Sequence, residues 1–92
     1  MKKKVIARIY IKKEFVEMFK KFAGEIIQKT RKEKGCLLYS LFQDVSRPQD
    51  FLFYEEYADQ EALDIHFNSK YLSNFRAKTK DLLAKETVVE VI

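Results

Sequence analysis

The sequence is poor in the residues from which cofactor sites and covalent frameworks are made. Its 92 residues include one cysteine, one histidine, one proline, two glycines and no tryptophan. A lone Cys36 closes no internal disulfide, so the fold must rest on its hydrophobic core or on association of copies, and a reducing compartment suits it. One histidine and one cysteine cannot complete a zinc site of the usual Cys/His type within a protomer. Neither a glycine-rich phosphate loop nor a Gly-x-Ser-x-Gly elbow occurs. The expectation is a protein with no metal, flavin or haem cofactor. No run approaches the ~20 apolar residues of a membrane span. The basic start Lys2-Lys3-Lys4 leads into Val5 to Ile11, but Arg8 breaks that run and no small-residue cleavage site follows, unlike a secretory leader. These absences point to a soluble, cytoplasmic protein without a membrane partner.

What is present suits one domain over residues 1–92, too short for a second core. Hydrophobic residues make up 47% and aromatics 14%, enough to bury a core, while 18 basic and 14 acidic side chains leave a net charge of +4. The lysines are spread along the chain and interleaved with glutamate, which reads as a solvated surface and not as a nucleic-acid stripe.

Val5, Ala7, Ile9 and Ile11 alternate with Ile6, Arg8, Tyr10 and Lys12, a period-two pattern that predicts a first strand. From Glu14 the period lengthens. Phe15, Met18, Phe19, Phe22, Ile26 and Ile27 follow three-and-four spacing, predicting an amphipathic helix whose end Gly35 caps in the left-handed conformation. Cys36 to Val45 and Phe51 to Ala58 predict a hairpin around Ser46-Arg47-Pro48-Gln49-Asp50. Asp59 is placed to cap a short helix, Asn68-Ser69 interrupts, and a second helix runs through Leu72, Phe75, Thr79, Leu82 and Leu83. Thr87 to Ile92 reads as the last strand. The order β-α-β-β-α-β, with its second helix broken, predicts an α+β ferredoxin-like fold around an antiparallel sheet. Helices cover one face of such a sheet, yet both parities of the hairpin are apolar: Leu37, Tyr39 and Leu41 alternate with Leu38 and Phe42. Sheet-to-sheet packing of a homodimer is the expected cover for the second face.

Catalysis in such a chain would rest on isolated acid-base residues and a shaped apolar pocket. His66 alone has an ordinary pKa near neutrality, and it is expected to share the apolar side of its helix with Ala62 and Ile65. It reads either as a proton acceptor facing a cavity or as a hydrogen-bonded histidine at a helix end. Glu55 shares strand parity with Phe51, Phe53 and Tyr57, so its carboxylate either ends at a cavity or pairs with a lysine at the rim. Tyr39, Tyr54 and Tyr71 read as amphipathic wall or interface residues, and Cys36 as a small core residue.

The run Glu33-Lys34-Gly35-Cys36-Leu37-Leu38-Tyr39, then Pro48, then Phe51-Leu52-Phe53-Tyr54-Glu55-Glu56-Tyr57-Ala58-Asp59, Ala62-Leu63-Asp64-Ile65-His66 and Ser69-Lys70-Tyr71-Leu72 resembles the antibiotic biosynthesis monooxygenase domain family, quinol monooxygenases in particular. The resemblance covers about half the chain. It implies a dimeric α+β barrel with a pocket between sheet and helices in each protomer. It also implies oxygenation of a small quinol or polyphenol by molecular oxygen without metal or flavin. Carried over by position, Glu55 matches the family's strand glutamate and His66 its helix histidine. His66 is then the expected catalytic base, and Glu55, Tyr57, Tyr39, Phe53 and Tyr71 are expected to bind the substrate. Tyr57 stands where many members have tryptophan, Phe53 where some oxygenases have asparagine, and Tyr71 where a second histidine is common. The proximal histidine of haem-degrading members corresponds to Arg76, which argues against haem cleavage. A catalytically silent ligand-binding dimer is the alternative within the family. An RNA-binding module of the same element order is the alternative outside it, opposed by the Glu55-Glu56 charges.

Overall fold

The computed structural model describes residues 1–92. Strand β1 (Lys3–Ile11) leads through a short turn of helix to α1 (Val16–Thr30), then β2 (Cys36–Gln43), β3 (Asp50–Tyr57), α2 (Gln60–Phe67), α3 (Lys70–Thr79) and β4 (Leu83–Val91). The four strands form one sheet in the order β2-β3-β1-β4, every neighbouring pair antiparallel. This is the ferredoxin-like α+β arrangement that the period changes predict.

Register decides which side chains meet the helices. Val5 lies opposite Glu55, Ala7 opposite Phe53 and Ile9 opposite Phe51, and across the hairpin Tyr39 pairs with Glu55 and Leu41 with Phe53. Phe19, Ala23 and Ile26 of α1 and Leu72 and Phe75 of α3 pack onto this inner face. Phe19 sits at the centre, its ring centroid 4.8 Å from Phe51 and 6.0 Å from Phe75. The outer face carries no helix. Leu38, Phe42, Leu52, Tyr54, Ile6 and Val88 share it by parity, with Phe42 56% and Val88 46% exposed.

Three expectations change in the folded chain. The helix α1 stops at Thr30, and Gly35 has no positive φ, so it is not a left-handed cap. It is small for another reason: a Cβ on Gly35 would lie 2.3 Å from the Cβ of Ala62, so glycine here lets α2 approach the start of β2. The apolar pair Leu82-Leu83 suits the helical period of α3, yet the chain leaves the helix there. Lys80–Leu82 is a turn of 3-10 helix and Leu83 already opens β4, opposite Ile11. On α2 the buried residues are Ala62, Leu63 and His66, while Ile65 is exposed. The helix is rotated by about one residue from the sequence reading, which places Leu63 against Val5 and Tyr57.

Candidate active site

His66 reaches the interior because α2 is held at both ends. Asp59 caps it, its carboxylate accepting from the Ala62 N–H at 2.9 Å, and the Ser69 hydroxyl donates to the His66 carbonyl at 2.7 Å. The imidazole is 1% exposed. Its ring lies between those of Tyr39 and Tyr57, with centroids 5.4 and 5.3 Å away. Nδ1 lies 3.0 Å from Oε2 of Glu33, a residue of the turn after α1. The Tyr71 hydroxyl donates to the same oxygen. A carboxylate oxygen accepts, so Nδ1 carries the proton and the neutral ring presents its lone pair at Nε2. Burial lowers the pKa of His66 against the opposing pull of Glu33, which favours the neutral ring.

Nε2 stands 3.8 Å from Oε1 of Glu55. That carboxyl is 4% exposed on the inner face of β3, and the Tyr57 hydroxyl donates to it at 2.6 Å. Burial raises its pKa from 4.5 to about 7; the Tyr57 hydrogen bond opposes the shift, Glu33 adds to it and Arg76 offsets part. Two titratable groups whose pKa values burial moves in opposite directions therefore share one wall, the arrangement expected where protons are transferred.

That wall belongs to a cavity of about 350 Å³ between the sheet, α2 and α3. The volume lies in the range of small-molecule sites. Its sides are mainly apolar, with Phe53, Leu72 and Phe75 beside Ala7 and Ile9. His66, Glu55, Tyr39 and Phe53 all line it, so four of the six residues singled out from the sequence meet there. Tyr57 and Tyr71 do not. Tyr57 is fully buried behind Glu55, and Tyr71 is bonded to Glu33, so both hold the polar groups from outside the cavity. The sequence reading missed Glu33 as a site residue: it follows a lysine-rich helix end and looks like a solvated charge until the fold brings it to His66. Cys36 is half-buried, with burial and Glu33 pushing its thiol up to about 11, which disfavours a nucleophilic role. No group of three or more His, Cys, Asp and Glu side chains is arranged around a metal position. No helix is long and apolar enough to cross a membrane.

The comparisons agree with this geometry. An uncharacterised Synechocystis protein, sll1783, is 34% identical over 87 residues, covering 95% of this chain, which in turn spans 59% of that relative's length. The Bacillus subtilis protein YcnE, provisionally named a monooxygenase, is 33% identical over 78 residues, covering 85% of this chain and 82% of its own. A crystal structure described as an antibiotic biosynthesis monooxygenase is 33% identical, covers 98% of this chain and 95% of its own, and superposes with a TM-score of 0.92. Residues 4–78, which carry Glu33, Tyr39, Phe53, Glu55 and His66, match the sequence pattern of the antibiotic biosynthesis monooxygenases. The chain belongs to the antibiotic biosynthesis monooxygenase family.

Proposed function

We propose that the protein is a cofactor-independent monooxygenase that oxygenates a small quinol or polyphenol, with His66 as the base. The observation that carries this reading is the orientation of His66. Glu33 holds Nδ1–H at 3.0 Å, leaving the unprotonated Nε2 on the wall of a largely apolar cavity. A quinol hydroxyl placed there gives its proton to Nε2, and the Glu33 carboxylate stabilises the imidazolium that forms. The resulting phenolate passes one electron to molecular oxygen. Recombination at a ring carbon gives a hydroperoxide, and loss of water leaves a quinone carrying one new oxygen atom. One quinol and one dioxygen thus yield one hydroxyquinone and one water. Glu55, kept near its midpoint at neutral pH, accepts a hydrogen bond from a second hydroxyl or donates one to the developing oxyanion. Tyr39 and Phe53, with ring centroids 5.1 Å apart, form the flat side of the cavity against which an aromatic ring packs. Tyr57 and Tyr71 act as positioning residues for Glu55 and Glu33.

The reading includes a homodimer joined through the outer sheet face, since Leu38, Phe42, Leu52 and Val88 leave that face apolar and uncovered. The test of the function is oxygen consumption by chelator-treated protein supplied with hydroquinone. Uptake of one dioxygen per quinol, with a hydroxyquinone as product, is the expected result. Binding of hydroquinone without oxygen uptake would instead identify a ligand-binding dimer of the same family.

A further inference from the structure

The cavity has two chemically distinct ends. His66 and Glu55 form the buried end, 1% and 4% exposed. At the other end, between α3 and β4, Arg76, Lys80 and Val89 are exposed at the cavity lining. Arg76 on α3 and Lys80, which follows its last residue with a helical backbone, stand one turn apart at positions i and i+4. The helix carries Leu72, Phe75 and Thr79 into the core, so the two cations flank the entrance and do not project from the far side of the helix.

Neither cation has an acidic partner. Lys78, on the opposite side of the same helix, pairs with Glu25 at 3.4 Å, and Arg8, Lys2, Lys20 and Arg47 each have a carboxylate, but no ion pair or side-chain hydrogen bond engages Arg76 or Lys80. The helix sequence from Lys70 to Thr79 contains no acidic residue at all. Like charges at i and i+4 repel each other. The negative end of the helix favours cations near it and offsets some of this repulsion. Arg76 also reaches the buried end through space, where its charge lowers the pKa of both Glu55 and His66.

We propose that Arg76 and Lys80 form an anion-recognition subsite at the cavity entrance, so that the preferred ligand is a hydroxylated aromatic carboxylate. Its ring lies against Phe53 and Phe75, its hydroxyl reaches His66, and its carboxylate meets the guanidinium of Arg76. Guanidinium suits this task, since it binds a carboxylate with two parallel hydrogen bonds and loses little water in doing so. Lys80 adds a second positive charge without fixed geometry. The substrate class stated here rests on the cavity being the substrate site, as the proposed function has it.

The test compares two probes that differ only in the carboxylate: hydroquinone and 2,5-dihydroxybenzoate. Their dissociation constants are measured by calorimetric titration under argon at pH 6 and low salt, so that turnover plays no part. The wild-type protein is expected to bind 2,5-dihydroxybenzoate at least about tenfold more tightly, a ratio that shrinks as salt is added. Arg76→Gln with Lys80→Gln brings the ratio to about one. Lys78→Gln, the same charge change on the outer side of α3, leaves the ratio as it was. All three positions are exposed, and circular dichroism confirms that each variant is folded. A wild-type ratio near one, a ratio that survives the double substitution, or binding of neither probe overturns the proposal. A protein that consumes oxygen with hydroquinone but shows a ratio of one keeps the oxygenase reading and loses the anion subsite. One that shows the ratio but never consumes oxygen does the reverse.

Discussion

A buried carboxylate beside a buried imidazole makes stability depend on pH in two opposite ways. Glu55 has a folded pKa of about 7 against an ordinary 4.5, so the folded chain holds this proton more tightly than the unfolded chain does. Stability linked to Glu55 is therefore present in acid and is lost as pH rises from about 4.5 to 7. His66 has a lowered pKa, so its contribution is present above the ordinary value of 6.5 and is lost as pH falls below it. Glu55→Gln removes the first dependence while keeping an acceptor for the Tyr57 hydroxyl. The urea midpoint of this variant should exceed that of the wild type at pH 8, with the advantage vanishing towards pH 4.5. By linkage the difference reaches at most about 3 kcal/mol. An identical pH slope in the two proteins would show that Glu55 is not the group that titrates. Glu55 and His66 were legible in the sequence, one by strand parity and the other by being the only histidine. Glu33 was not legible, because its role depends on a contact between residues 33 positions apart in the chain.

At the scale of elements, the N-terminal caps of α2 and α3 are local and the sequence states them clearly. Asp59 and Ser69 cap α2 and α3 as their positions suggest, each accepting from a backbone N–H three residues on. The misread features are those that tertiary packing decides. Gly35 looks like a helix terminator because it follows Lys32, Glu33 and Lys34, yet its missing side chain serves the approach of Ala62 from α2. The start of β4 is pulled forward to Leu83 by pairing with Ile11, against the helical spacing of Leu82 and Leu83. Gly35→Ala tests the first of these. The added methyl overlaps Ala62 and should lower stability by about 1–3 kcal/mol, as overpacking does. Because α2 carries His66, activity should fall with it. Adding Ala62→Gly relieves the overlap, so the two substitutions together should cost clearly less than the sum of their separate effects in chemical denaturation. Simple additivity would mean that the contact is not what requires glycine.

For the whole molecule, the feature without explanation inside one protomer is the outer face of the sheet. Leu38, Phe42, Leu52, Tyr54 and Val88 share it with the Arg8–Glu90 and Lys2–Glu56 pairs, and with Lys4 opposite Glu56. The apolar residues of both parities in the hairpin revealed this face in the sequence, since a strand covered on one side only alternates. A second copy laid sheet to sheet covers it and should bury more than about 1,200 Å² in total. Sedimentation equilibrium at micromolar concentration should give twice the protomer mass for the wild type. Phe42→Glu puts a charge into that contact and should shift the mass towards one protomer. A wild-type protein that sediments as a single protomer contradicts the dimer. The cavity lies on the inner face, so the fold separates the surface available for association from the site available for chemistry.

The central claim is that the neutral His66, held by Glu33, takes a proton from a ligand in the cavity. The most direct measurement is kcat for oxygen consumption with a quinol substrate, taken on wild type and His66→Ala beside the urea midpoint of each. A base that acts in the transition state predicts a fall in kcat of about 10² or more with substrate affinity nearly unchanged. A purely structural histidine predicts a near-normal kcat per folded molecule and unfolding easier by about 1–3 kcal/mol, as Glu33 loses its buried partner. The first outcome is the one expected here; the second would remove His66 from the chemistry.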